Sequence, residues 1–279
     1  MAELTRPDGT RIHYEVQGEG GPAVVLASYW SWSPGVWAEL FSDLASDHRV
    51  VTYHLRGTGD STRKGPYDME TDADDLEAVV EAAAEESGAN ALLIGVADSV
   101  NRATRVARRR PDLASAAVSV GAAPFSLQML EGSEAMLSSE SVVGAFVEML
   151  EHNHRGAMRV LLEATNPQMN DTELRERLGA LVEFCPQEPA LGRLRAWMED
   201  DPLEDAQRLG ERLWIFAGGE VAGPWLPPQD ELDRMTRELL PAARVELVEP
   251  GPITAPHNTA EKLRMVAATL RAGAARGRE

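Results

Sequence analysis

The sequence predicts an α/β protein: a mostly parallel central sheet with helices on both faces and a helical lid. Three observations carry that prediction. Short apolar runs alternate with longer amphipathic stretches along most of the chain. Most of these runs lack the polar alternation of a half-solvated sheet, as expected for strands covered on both sides. The alternation then stops between Pro124 and about Arg212, where helical periodicity continues without a convincing strand.

Taken in order, Asp8-Gly9 is a turn signal, and the alternating residues 11–16 after it predict an antiparallel leader strand or hairpin. Residues 23–27 and 49–53 are the first buried runs. Between them Val36, Trp37, Leu40, Phe41 and Leu44 share one helical face. Leu76, Val79, Val80 and Ala83 form a second such face before the strands at 91–96 and 116–120. Residues 125–211 read as the lid, an insertion with periodicity at Val142, Phe146, Met149 and Leu150 and again at Leu174, Leu178 and Leu181. Pro167, Pro186 and Pro189 punctuate it. The core, residues 1–124 and 212–279, resumes with strands at 213–217 and 244–248 and a closing helix bearing Leu263, Val266, Ala267 and Leu270.

Composition narrows the function. The 279 residues carry 27 Lys plus Arg against 45 Asp plus Glu, a net charge of −18. Such a surface repels phosphate backbones and anionic lipid, so neither nucleic acid nor membrane is an expected partner. No apolar stretch is long enough to span a bilayer. The N-terminus lacks a secretory pattern, and Cys185 stands alone, so a reducing cytoplasm is the expected location. Gly57-Thr58-Gly59 lacks dinucleotide-binding spacing and no phosphate-binding loop is present; no cofactor is expected. His152 and His154, with Glu148 one helical turn before His152, lack the further ligands that would complete a metal site. The sequence leaves a homodimer open, and Lys64 and Lys262 as the only lysines in an arginine-rich chain suggest a bacterial source.

The order of landmarks resembles the α/β-hydrolase superfamily along nearly the whole chain. The segment from Asp8 to Tyr14 looks like its opening hairpin, and Leu55-Arg56-Gly57-Thr58-Gly59-Asp60-Ser61 resembles the turn after its fourth strand. Leu92-Leu93-Ile94-Gly95 leads into a helix that ends at Arg110-Pro111-Asp112, as the nucleophile strand and helix of that family do. The resemblance implies a nucleophile elbow at Gly95-Val96-Ala97-Asp98-Ser99, where the family has Gly-x-Ser-x-Gly.

Alanine at position 97 forms no acyl-enzyme. Pro252 stands where the family places its histidine, Val221 stands in the usual aspartate place with Glu220 beside it, and Ala27-Ser28-Tyr29 replaces the His-Gly signature after the third strand. Ser99 lies too far into the helix for elbow geometry, so a packing role is expected of it. The run Arg102, Arg105, Arg108, Arg109 and Arg110 reads as the solvent side and C-terminal end of the elbow helix. The backbone N–H of Asp98, with that of Ser28 or Tyr29, would still form an anion-stabilising corner.

These residues set the expected site. Asp98, then Tyr29, then Glu220 are the candidates for moving a proton. Ser28, Trp30, Trp32, Ala97 and Trp225 are the candidates for holding a hydrophobic or aromatic small molecule beneath the lid. Triad-degenerate relatives imply a cofactor-independent, non-hydrolytic tailoring enzyme of bacterial secondary metabolism. The implied chemistry is Michael- or aldol-type C–C bond formation or cyclisation on a polyketide-like substrate. A non-catalytic carrier that sequesters a hydrophobic metabolite needs only the pocket. A hydrolase with relocated catalytic residues is the third reading.

Overall fold

The computed structural model describes residues 2–87, 90–121, 124–126, 139–166, 168–217, 229–249 and 258–276. Its frame is an eight-stranded sheet in the order β1-β2-β4-β3-β5-β6-β7-β8. β1 (Ala2–Thr5) and β2 (Arg11–Gln17) form the expected leader hairpin. Thr10 donates to Asp8 from both its backbone N–H (2.8 Å) and its hydroxyl (2.9 Å), and Gly9 takes the positive φ that the turn requires. β2 pairs antiparallel with β4 (Val50–Tyr53). From β4 onward β3 (Val24–Leu26), β5 (Ala91–Gly95), β6 (Ala114–Val120), β7 (Leu213–Ala217) and β8 (Arg244–Leu247) pair in parallel.

Strand periodicity divides the core in two. Ala91 and Leu93 of β5 face one apolar cluster while Leu92 and Ile94 face the other, and Val25 against Val24 and Leu26 repeats the split on β3. The first cluster is covered by α2 (Met69–Ser87), α3 (Asp98–Arg109) and α9 (Gln229–Leu239). The second is covered by α1 (Ala38–Leu44) and α10 (Thr259–Arg276). Both strand faces are therefore buried, which is why these runs show no polar alternation. β8 differs, because it is an edge strand with Val245 and Leu247 turned to solvent.

Among the described residues five α-helices lie between β6 and β7: α4 (Ser139–His152), α5 (His154–Thr165), α6 (Asp171–Phe184), α7 (Gln187–Glu199) and α8 (Leu203–Leu209). α4 to α7 enclose a third apolar cluster with Phe146, Leu150, Met158, Leu161, Leu178 and Leu194, and this cluster takes in Trp30 and Trp32 from the loop after β3. Among the described residues no helix is long and apolar enough to cross a membrane.

Candidate functional site

The elbow is built by close approach of strand and helix. A Cβ on Gly95 would lie 2.7 Å from both the Cα and the N of Val100, so only glycine lets α3 start so near β5. The chain then turns through Ala97 at φ 48° and ψ −127°, a conformation that costs a non-glycine residue about 1–3 kcal/mol. Ser99 closes the turn. Its hydroxyl donates to the Val96 carbonyl and accepts the Val96 N–H, both at 2.8 Å. That hydroxyl is fully buried and fully used, so it is structural and no relocated nucleophile.

Asp98, the first residue of α3, is completely buried. Its Oδ2 meets Arg102 Nη1 at 2.6 Å, one helical turn on, and its Oδ1 accepts the Trp30 backbone N–H at 3.3 Å. Arg102 Nη2 donates to the Ser28 carbonyl at 2.5 Å, and the Ser28 hydroxyl donates to the Tyr53 carbonyl. The Asp98–Arg102 pair thus pins both ends of the 28–30 loop to the elbow. Burial raises the Asp98 carboxyl above the usual aspartate range, and the Arg102 charge opposes that shift.

The pair belongs to a buried chain of charges. Arg102 Nη1 lies 3.9 Å from Asp72 of α2, and Asp72 accepts a bidentate pair of bonds from Arg193 of α7 at 2.6 and 2.9 Å. Arg193 also donates to the Arg56 carbonyl at 2.6 Å, and Arg56 binds Asp75 through bonds of 2.7 and 2.9 Å. Arg102 and Arg105 are therefore not on the solvent side of the elbow helix, as the periodicity suggested. Arg102 is fully buried, and Arg105 turns to Asp200 (2.7 Å) and Asp205 (3.2 Å). A desolvated arginine is tolerable here because each has a carboxylate to meet.

Above the elbow, Ala97 and Tyr29 are the partly exposed members of the set. Among the described residues no acceptor is bonded to the backbone N–H of Asp98 or of Tyr29. Burial, reinforced by the Asp98 charge, holds the Tyr29 phenol above its ordinary value, so it stays protonated. Its ring centroid lies 5.7 Å from that of Trp30 and 6.4 Å from that of Trp32. Both indoles are buried, and neither Nε1–H has a hydrogen-bond partner among the described residues. Glu220 and Trp225 lie outside the described residues, as do Val221, Pro252 and His257.

Cys185 is no substitute nucleophile. It is completely buried, its thiol contacts the Trp30 carbonyl at 3.5 Å, and burial pushes its pKa up to about 12.

No family model and no curated protein matches the sequence. Solved structures match throughout. An esterase from Exiguobacterium antarcticum is 18% identical with a TM-score of 0.74, each chain covering 97% of the other. A structure from a study of carboxylesterases of Nitrososphaera gargenis is 17% identical with a TM-score of 0.73, covering 98% of this chain and 100% of its own. The bottromycin epimerase BotH, in complex with bottromycin A2, is 21% identical with a TM-score of 0.65, covering 96% and 98%. The neighbours are α/β-hydrolase superfamily members, and the fold of this chain is the α/β-hydrolase fold.

The expectation of Michael- or aldol-type C–C bond formation is overturned by the neighbours named as esterases and hydrolases; BotH is named an epimerase. The described site gives a physical reason. Enolate formation needs a free base, yet the Asp98 carboxylate is held by Arg102 and the Tyr29 phenol is held protonated.

Proposed function

We propose that the protein binds an apolar small molecule bearing an ester, lactone or amide carbonyl over Ala97, without forming an acyl-enzyme. The observation that carries this reading is Ala97 itself, in the elbow conformation with no nucleophilic atom. In this proposal the Asp98 and Tyr29 backbone N–H groups receive the carbonyl oxygen, and the Tyr29 phenol donates to a second acceptor. Trp30 and Trp32 supply the apolar wall, and Trp225 is proposed as a further ligand contact. The helices of residues 125–211 form the lid, and the location is cytoplasmic. Asp98 is a positioning residue, because its carboxylate serves Arg102 and the loop.

The esterase character of the neighbours favours a second reading of the same site, cleavage of the bound ester by direct attack of water. Water would add to the carbonyl carbon as a base accepts its proton, and the C–O bond would break as the alcohol leaves with a proton. Glu220 is the proposed base.

The test uses a panel of p-nitrophenyl and aryl esters with a fluorophosphonate probe. Saturable quenching of tryptophan fluorescence with no covalent adduct is the expected result. Ala97→Ser is expected to leave ester cleavage unchanged, because Pro252 stands in the histidine slot. A fluorophosphonate adduct on the wild-type chain, or no saturable binding to any ester, overturns the proposal. Adduct-free turnover abolished by Glu220→Gln establishes the second reading instead.

A further inference from the structure

We infer that His13, His54 and Asp60, with Glu15 as a fourth donor, form a site for a borderline divalent cation such as Zn²⁺. The site lies on the flank of the sheet where β2 meets the loop after β4. One ligand atom from each of the first three residues falls within 4.8 Å of the others. The imidazole centroids of His13 and His54 are 4.8 Å apart, tilted by 35°.

Each donor is positioned by something else. His13 and Glu15 are two residues apart on β2 and so share one face, and His13 Nε2 lies 3.6 Å from Glu15 Oε1. The His13 backbone N–H donates to Ser61 Oγ at 3.0 Å, and Ser61 Oγ donates to the His54 carbonyl at 2.7 Å, which sets the two histidines side by side. His54 Nδ1 lies 3.6 Å from Asp60 Oδ2. These separations are close to those between neighbouring ligands of one tetrahedral ion, roughly 3.3–3.6 Å for bonds of about 2.0–2.2 Å.

The observation that points to a ligand is His13. Its side chain is only 8% exposed, yet its Nε2 has no hydrogen-bond partner among the described residues. A buried polar atom is ordinarily satisfied, so an unpaired one beside two carboxylates and a second imidazole calls for a cation or its equivalent. His54 Nδ1 now accepts the Asp60 backbone N–H at 3.0 Å. Coordination through that atom exchanges one hydrogen bond, and Asp60 is exposed enough for water to take the released N–H.

An ion here would clamp β2 to the Leu55–Ser61 turn. Gly59 of that turn donates to the Phe184 carbonyl at the end of α6, and the Phe184 ring packs edge-on against His54. The clamp would therefore stiffen the docking of α6 on the sheet.

The experiment is Zn²⁺ titration by calorimetry on the untagged, chelator-treated chain, repeated with Co²⁺ by visible absorption. One saturable equivalent is expected, with a Co²⁺ spectrum of nitrogen and oxygen ligands. His13→Asn and His54→Gln should each weaken Zn²⁺ binding on the order of tenfold to a hundredfold or more. The exposed Asp60→Asn, which leaves the fold undisturbed, should weaken it as well. His152→Ala on α4 should change nothing. No saturable equivalent on the wild-type chain overturns the inference, as does binding unchanged in Asp60→Asn and His54→Gln or lost in His152→Ala.

Discussion

Replacing Asp98 by Asn keeps the side-chain shape and the acceptor for the Trp30 N–H while removing the charge that faces Arg102 at 2.6 Å. Both partners are desolvated, so the intact pair adds little net stability. The loss falls on the guanidinium left behind. Breaking a buried pair from one side costs about 3–5 kcal/mol. Arg102 retains Asp72 at 3.9 Å and the Ser28 carbonyl at 2.5 Å. That compensation places Asp98→Asn near the lower end, about 3 kcal/mol. Arg102→Met removes the stranded charge, so the double variant should be more stable than the sum of the two losses implies, by about 2–3 kcal/mol. Urea unfolding followed by tryptophan fluorescence measures all three, with an unchanged m-value as the check on two-state comparison. An Asp98→Asn loss under about 1 kcal/mol, or strict additivity in the cycle, refutes the claim that this pair holds the 28–30 loop to the elbow.

Two further outcomes test the frame around that pair. Gly95→Ala drives a Cβ to 2.7 Å from the Val100 backbone, which no rotamer can relieve, and should cost at least about 1–3 kcal/mol. A melting temperature equal to wild type would show that β5 and α3 are not packed so closely. His54 sits below its ordinary value of 6.5, chiefly through burial and secondly through His13. The unfolded chain therefore binds the proton first as pH falls. The stability His54 contributes is complete above 6.5 and is lost as pH falls through its folded value. The urea midpoint should decline across that window in the absence of divalent metal, and His54→Gln should flatten the decline. His154, also held low chiefly by burial, adds to the same slope. A slope untouched by His54→Gln refutes the assignment.

The sheet was legible because its information is local. Continuous apolar runs can hide on both faces, and the structure splits Leu92 and Ile94 from Leu93 as strand periodicity requires. The elbow was legible by counting from Gly95 and from Pro111 to Ala97. The buried charges were not. A run of arginines on one helix reads as a solvated face, and apart from Asp98 the carboxylates that meet Arg102 and Arg105 lie on α2 and in the α7–α8 segment, distant in sequence. Two signals were present. Asp98 and Arg102 have the i, i+4 spacing of a helical ion pair, and Asp72 and Asp75 fall on the face of α2 that carries Leu76 and Val79. Charged residues on an apolar helix face require opposite charge across the interface, which Arg193 and Arg56 provide.

This network bears on what the elbow can hold. A carboxylate directly beneath the Asp98 N–H would by itself repel electron density on a bound oxygen, and the Arg102 charge at 2.6 Å cancels that field locally. The corner is then close to neutral, suited to a carbonyl dipole more than to a full oxyanion. The turn is meanwhile defined three times over, by the contact at Gly95, by the double bond pattern of Ser99 and by the Asp98 link to Trp30. None of these uses an atom of the residue at position 97 beyond its backbone. A side chain there can lack any reactive group while the turn that presents it stays in place, so the strain at Ala97 is held by the scaffold and not by the chemistry.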